Sequence, residues 1–89
     1  MFVKVKDFID YGFDSKDSEN LINSLDLSNL EEDIILDFTG VKYFTTLFFN
    51  DLISRLMNSK FEIENLSDYG KDLFNRCLDV HVTYKRYKL

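Results

Sequence analysis

The segment from Ile34 to Leu52, IILDFTGVKYFTTLFFNDL, decides the fold of this chain. Its first five residues form a run that is apolar on both faces of an extended chain, which is typical of a central strand. Thr39-Gly40 ends the strand, and Thr45 or Thr46 supplies a capping hydroxyl for a helix over residues 46–58. The strongest amphipathic stripe of the chain lies on that helix and comprises Phe48, Phe49, Leu52, Ile53 and Leu56.

Strands and helices continue to alternate on both sides of this segment. The patterns predict strands at 2–6, 34–38, 60–64 and Val80–Tyr84, a loop at 8–13, and helices at 16–28, at 46–58 and from Ser67 or Asp68 onward through Leu78. Asp14, Ser15 and Asp17 offer capping oxygens to the first helix. This order predicts one small α/β domain over residues 1–89, βαβαβαβ, with a four-stranded, mostly parallel or mixed sheet and about three helices.

Composition excludes several functional classes. With 89 residues, 16% aromatics and a formal net charge of −5, the chain has the material for a packed core and lacks the cationic excess of a general nucleic-acid binder. One Cys and one His exclude a disulfide framework and any multi-cysteine or multi-histidine metal site. No apolar run is long enough for a signal peptide or a membrane span, so we expect a cytoplasmic protein without membrane contact.

The acidic residues are concentrated in the first part of the chain. Residues 1–40 hold ten acidic residues against three Lys, whereas residues 41–89 hold six acidic and eight basic residues. Two interpretations stay open: a bipolar surface that orients a partner, or carboxylates that cluster at helix starts and turns. The basic end of the chain, Lys85 to Lys88, favours a solvated terminus over a binding patch.

Three residues are candidates for chemistry. Cys77 lies among apolar residues of the third helix, which favours a core position over a reactive thiol. His81, in the predicted last strand, has no evident nucleophile beside it. Asp37 ends the apolar strand, where a carboxylate either bonds the next turn or faces a ligand at the sheet rim, and the first interpretation is favoured. We therefore expect no enzyme activity, no catalytic residue, no metal and no cofactor.

The order and spacing within residues 34–52 resemble the central segment of STAS domains, and more closely a bacterial STAS-like family of unknown function. Similar counterparts occur at Val3–Phe8, at Ser15-Lys16 and at Phe61–Ser67. The resemblance implies a non-enzymatic regulatory module. STAS domains of the anti-sigma-factor antagonist kind bind a histidine-kinase-like ATPase and are switched off by phosphorylation of a Ser at the start of the central helix.

The resemblance places Leu47 of this chain where that Ser would stand, with Thr46 before it as a weak candidate for phosphorylation. We therefore expect no phosphoserine switch. A constitutive protein-binding patch is expected at the junction of the second strand and second helix, formed by Thr45, Thr46, Leu47, Asn50 and Asp51.

The partner classes that stay open are a histidine-kinase-like ATPase, a nucleic-acid enzyme and a second copy of the chain. The alternative function is a small acidic inhibitor or decoy of phage or mobile-element type, whose carboxylates imitate the phosphates of a nucleic acid. Salt-sensitive binding to a basic nucleic-acid enzyme would favour that alternative.

Overall fold

The computed structural model describes residues 1–25, 33–57 and 60–88 of the chain. Within these ranges, three strands and three helices alternate: β1 (Phe2–Lys4), α1 (Ser15–Asn23), β2 (Ile34–Asp37), α2 (Thr46–Leu56), β3 (Phe61–Glu64) and α3 (Asp68–Lys88). A short 3₁₀ turn, Val5–Asp7, follows β1. None of the described helices is both long and apolar enough to cross a membrane.

The strands form one parallel sheet in the order β1-β2-β3. Leu36 lies at the centre of the sheet, with Val3 on one side and Ile63 on the other. The adjacent positions alternate to the other face, where Lys4, Glu62 and Glu64 are exposed. α2 packs against both α1 and α3, so the apolar face of the sheet and the three helices enclose the core.

Four phenylalanines at the β2–α2 junction dominate this core. Phe38, Phe44, Phe48 and Phe49 are each at most 4% exposed. The Phe38 ring lies 5.6 Å from that of Phe44 and 6.5 Å from that of Phe48, both in edge-to-face contact. Such pairs stabilise a core beyond the burial of their area. The stripe predicted on the second helix is thus confirmed, and it fixes the start of α2 against the end of β2.

The predicted fourth strand, Val80–Tyr84, is wrong. These residues continue α3, which runs without interruption to Lys88. Neither Gly nor Pro follows Gly70, so no residue breaks the helix. Each β-branched residue in a helix costs only a few tenths of a kcal/mol, roughly up to 0.7 relative to Ala. The alternation of β-branched residues at Val80–Tyr84 is therefore not enough to end the helix. The described part of the chain therefore forms an α/β structure with a three-stranded sheet.

Two other predicted elements are shorter than expected. The first strand ends at Lys4 because Val5, fully buried, begins the 3₁₀ turn instead of continuing the alternation. The first helix starts at Ser15 and ends at Asn23, where Ser24 caps it and its hydroxyl donates to the Asn20 carbonyl at 2.8 Å. The predicted remainder at 26–28 and the end of the second helix at Asn58 lie outside the described residues.

Candidate functional site

The carboxyl ends of the three parallel strands meet at one edge of the sheet, and the loops that enter the helices gather there. The β2–α2 loop begins with a tight turn in which the Val41 amide donates to the Phe38 carbonyl at 3.0 Å. Gly40 has φ +84°, a left-handed conformation that glycine adopts without strain. Open α/β sheets bind their ligands at this edge, so a functional site is expected here.

Asp37 joins two of these loops. One oxygen of its carboxylate accepts hydrogen bonds from the Thr39 amide at 3.0 Å, the Thr39 hydroxyl at 2.6 Å and the Asn65 side chain at 2.8 Å. The hydrogen bonds from Thr39 and Asn65 lower the pKa of Asp37 because they favour the charged form. The prediction that this carboxylate bonds the following turn is confirmed. We refer to its hydrogen bonds with Thr39 and Asn65 as the clamp, which joins the β2–α2 loop to the β3–α3 loop.

The start of α2 has the predicted hydroxyl cap, and Thr45 provides it. Its hydroxyl accepts from the Phe48 amide at 3.3 Å and donates to the Phe13 carbonyl. Thr45 is thus engaged on both sides and holds the β1–α1 loop against α2. Thr46, the first residue of the helix, is exposed.

The other three residues of the predicted patch lie on α2 at spacings of three and four, which places them on one side of the helix. Leu47 is 65% exposed and Asn50 is exposed. Asp51 is half-buried and accepts from the Arg55 guanidinium at 2.6 Å. That hydrogen bond raises the pKa of Arg55. Leu47 and Asn50 are therefore accessible, whereas the Asp51 carboxylate already has a partner; their role in binding stays a prediction.

The sequence analysis did not predict an exposed aromatic surface that lies at the same edge of the sheet. Tyr11 and Phe13 stack with ring centroids 4.4 Å apart, and Phe13 lies 6.5 Å from Tyr43. Their exposed fractions are 45%, 46% and 63%. We refer to Tyr11, Phe13 and Tyr43 as the aromatic rim. The sequence did carry a signal. Phe8, Tyr11 and Phe13 lie in the predicted loop at 8–13, where no helical or strand pattern accounts for aromatic residues.

Gly12 fixes the aromatic rim to the rest of the fold. Its amide donates to the Tyr43 carbonyl, and its carbonyl accepts from the Thr45 amide, both at 2.9 Å. This short parallel bridge carries Tyr11 and Phe13 alongside the β2–α2 loop. A Cβ atom at position 12 would lie 2.6 Å from the buried ring of Phe48, so the close approach requires glycine.

Part of the acidity in the first half has a structural explanation. Asp14 accepts from the Lys16 and Asp17 amides at 3.0 and 3.2 Å, and Asp17 in return accepts from the Asp14 amide at 3.4 Å and from the Phe13 amide at 2.9 Å. These bonds form a capping box at the start of α1, as expected from the interpretation in which carboxylates cluster at helix starts. Cys77 is 4% exposed, and burial raises the pKa of its thiol, which confirms a core position. His81 belongs to α3, not to a strand.

Comparison with known proteins gives one family. The model of a family described as a STAS-like domain of unknown function, DUF4325, matches residues 18–71. The matched segment contains β2, α2 and β3, most of α1 and the start of α3. Searches of curated proteins and of solved structures gave no significant match. Tyr11 and Phe13 precede the matched segment, while Tyr43 and Leu47 lie within it.

Proposed function

Because the chain belongs to the family of STAS-like domains of unknown function, we propose that it is a non-enzymatic regulatory module that docks to a protein through the β2–α2 junction. The observation that carries this proposal is the exposure of Leu47. Five apolar residues of α2 are fully buried, whereas Leu47, in the first turn, is 65% exposed. The core does not use this side chain, which lies four residues after Tyr43 of the aromatic rim in the sequence.

The ring contacts within the aromatic rim distinguish this edge from a surface with scattered apolar residues. Single exposed apolar residues are normal on any protein. Here Tyr43 and Leu47 flank the cap of α2, and the bridge at Gly12 adds Phe13 to the same edge. Contiguous exposed apolar side chains are typical of protein interaction sites.

The contact is proposed to be constitutive. Leu47 has no hydroxyl to phosphorylate, and the hydroxyl of Thr45 is engaged with Phe13 and Phe48. Thr46 is exposed and remains the candidate for modification in this segment. Among the partner classes, the resemblance to anti-sigma-factor antagonists favours a histidine-kinase-like ATPase.

The test is affinity purification from the native host followed by mass spectrometry, with the wild type and two variants. Leu47→Asp places a charge in the junction, whereas Val80→Asp changes an apolar residue of nearly equal exposure, 64%, on α3. We expect the same partner with the wild type and with Val80→Asp, and its loss with Leu47→Asp. Both variants should unfold within about 0.5 kcal/mol of the wild type, because exposed substitutions perturb stability little.

Three outcomes would contradict the proposal. Equal capture by Leu47→Asp and the wild type would remove the junction as the docking site. Stoichiometric phosphate on Thr46 of the free protein and none on the bound protein would replace the constitutive contact by a switch. Turnover of a substrate by the purified chain would contradict the non-enzymatic role.

A further inference from the structure

We propose that the aromatic rim binds a cationic apolar segment of the protein partner, one that presents arginine or lysine beside aliphatic side chains. This inference rests on the proposed docking function and assigns the chemistry of the segment that docks. It is drawn from the charges that accompany the exposed aromatic side chains.

Carboxylates flank the aromatic residues of this edge. Asp10 precedes Tyr11, and Asp14 follows Phe13; both acidic residues are exposed. Another exposed aromatic residue, Tyr69 at 62%, lies in the first turn of α3 at the same edge and follows the exposed Asp68. An aromatic face with a nearby carboxylate suits a guanidinium group, which stacks on the ring and hydrogen-bonds to the carboxylate.

The β1–α1 loop has a negative balance that the other loops do not reverse. The residues between these two elements, 5–14, hold three Asp against one Lys, Lys6, whose ammonium donates to the Gly40 carbonyl at 3.4 Å. Lys42 beside Tyr43 is the basic residue of the β2–α2 loop. An anionic segment would be repelled by this excess of negative charge, and an uncharged apolar segment would gain no electrostatic attraction from it. A cationic segment is the occupant that the surface complements.

Asp10 is the most informative carboxylate. It is exposed, and no hydrogen bond joins its side chain to any of the described residues, so a substitution there leaves the fold intact. Asp14, in contrast, caps α1 through its carboxylate and cannot be changed without loss of stability. Asp68, the first residue of α3, is also exposed and has no side-chain hydrogen bond to the described residues, so charge can be removed at Asp10 and at Asp68.

The test uses three labelled synthetic peptides of equal length and fluorescence anisotropy with the full chain. One peptide combines Arg and Leu, the second combines Arg and Ser, and the third combines Glu and Leu. We expect the Arg–Leu peptide to bind most tightly and its affinity to fall as salt is raised, since exposed charges are screened within about 10 Å at 0.1 M. The Phe13→Ala/Tyr43→Ala variant should weaken it about tenfold or more, which corresponds to about 1.4 kcal/mol.

A charge-matched control separates local from overall electrostatics. Asp10→Asn/Asp68→Asn and Glu62→Gln/Asp79→Asn each remove two exposed negative charges. The first pair lies at the sheet edge that carries the aromatic rim, whereas Glu62 lies within β3 and Asp79 about three turns along α3 from Asp68. We expect a loss of about tenfold with the first pair and less than about twofold with the second, as the coupling falls off with distance.

Equal losses with both pairs, or equal binding of the Glu–Leu peptide, would overturn this inference. The inference and the docking function fail separately. If Leu47→Asp abolishes capture of the native partner while Asp10→Asn/Asp68→Asn has no effect on that capture, the junction docks a partner whose segment is not cationic.

Discussion

Gly12→Ala tests whether close packing fixes the aromatic rim. The added Cβ would lie 2.6 Å from Cγ and Cδ2 of Phe48, about 1 Å inside the normal carbon–carbon separation of roughly 3.5–4.0 Å. The Phe48 ring is fully buried and packs against Phe38, Phe44 and Phe49, so it has no free volume to enter. The strain must fall on the loop that carries Gly12.

The magnitude follows from two contributions. Overpacking by one methyl group costs about 1–3 kcal/mol. Displacement of the loop also weakens the two 2.9 Å backbone hydrogen bonds that Gly12 forms with Tyr43 and Thr45, each worth about 1 kcal/mol. Displacement of the loop reduces the steric overlap while it weakens the hydrogen bonds, so the two contributions do not add in full. We expect the free energy of unfolding to fall by about 2–3 kcal/mol. For a domain of this size, the midpoint of thermal unfolding should drop by about 10–20 °C.

Thermal and urea unfolding followed by circular dichroism measure this change, with Gly70→Ala as the matched control. A Cβ at position 70 would lie 3.1 Å from Leu66 and 3.2 Å from Phe44. That contact is tight, but alanine in the helix recovers up to about 1 kcal/mol. We therefore expect Gly70→Ala to unfold within about 1 kcal/mol of the wild type.

A double-mutant cycle identifies the contact. Phe48→Leu shortens the side chain that the new methyl group meets, so Gly12→Ala should cost at least about 1 kcal/mol less in the Phe48→Leu background. A Gly12→Ala melting midpoint equal to that of the wild type would refute the packing described here. Strict additivity of Gly12→Ala and Phe48→Leu would refute the role of Phe48.

Two further predictions concern polar groups in and beside the core. The Ser18 side chain is fully buried, and its hydroxyl has no hydrogen-bond partner among the described residues. Ser18→Ala should therefore raise the free energy of unfolding by about 1 kcal/mol in urea titrations. A decrease would show that the hydroxyl is hydrogen-bonded in the folded protein. Hydrogen bonds lower the pKa of Asp37 from its usual 3.8, so its contribution is fully present above that value and is lost as the pH falls through the lower pKa of the folded protein. Acid titrations of the wild type should thus lose stability over this range, and Asp37→Asn should show a shallower loss; identical pH profiles would contradict the clamp.

Local patterns predicted the β2–α2 junction well because its determinants are adjacent in the sequence. Thr45 caps the helix that follows it, and Asp37 bonds a residue two positions later, so each could be anticipated from neighbouring residues. The Asn65 end of the clamp could not, because it joins positions 28 residues apart and depends on how β3 lies beside β2.

The failures have the opposite origin. The alternation from Val80 to Tyr84 satisfied the strand pattern, but no strand partner exists for it among the described residues and an unbroken helix already leads into it. The aromatic rim was missed because residues 8–13 have no periodic pattern. Their placement depends on the backbone bridge between Gly12 and Phe44, a contact between distant positions that no local rule specifies.

The bridge at Gly12 separates what holds the loop from what the loop displays. Its backbone groups make the hydrogen bonds, while the side chains on either side, Tyr11 and Phe13, project with nearly half of their surface uncovered. Exchanges at such exposed positions usually change stability by no more than about 0.5 kcal/mol. Substitutions at residues 11 and 13 are therefore expected to leave folding intact, provided that the glycine between them is retained.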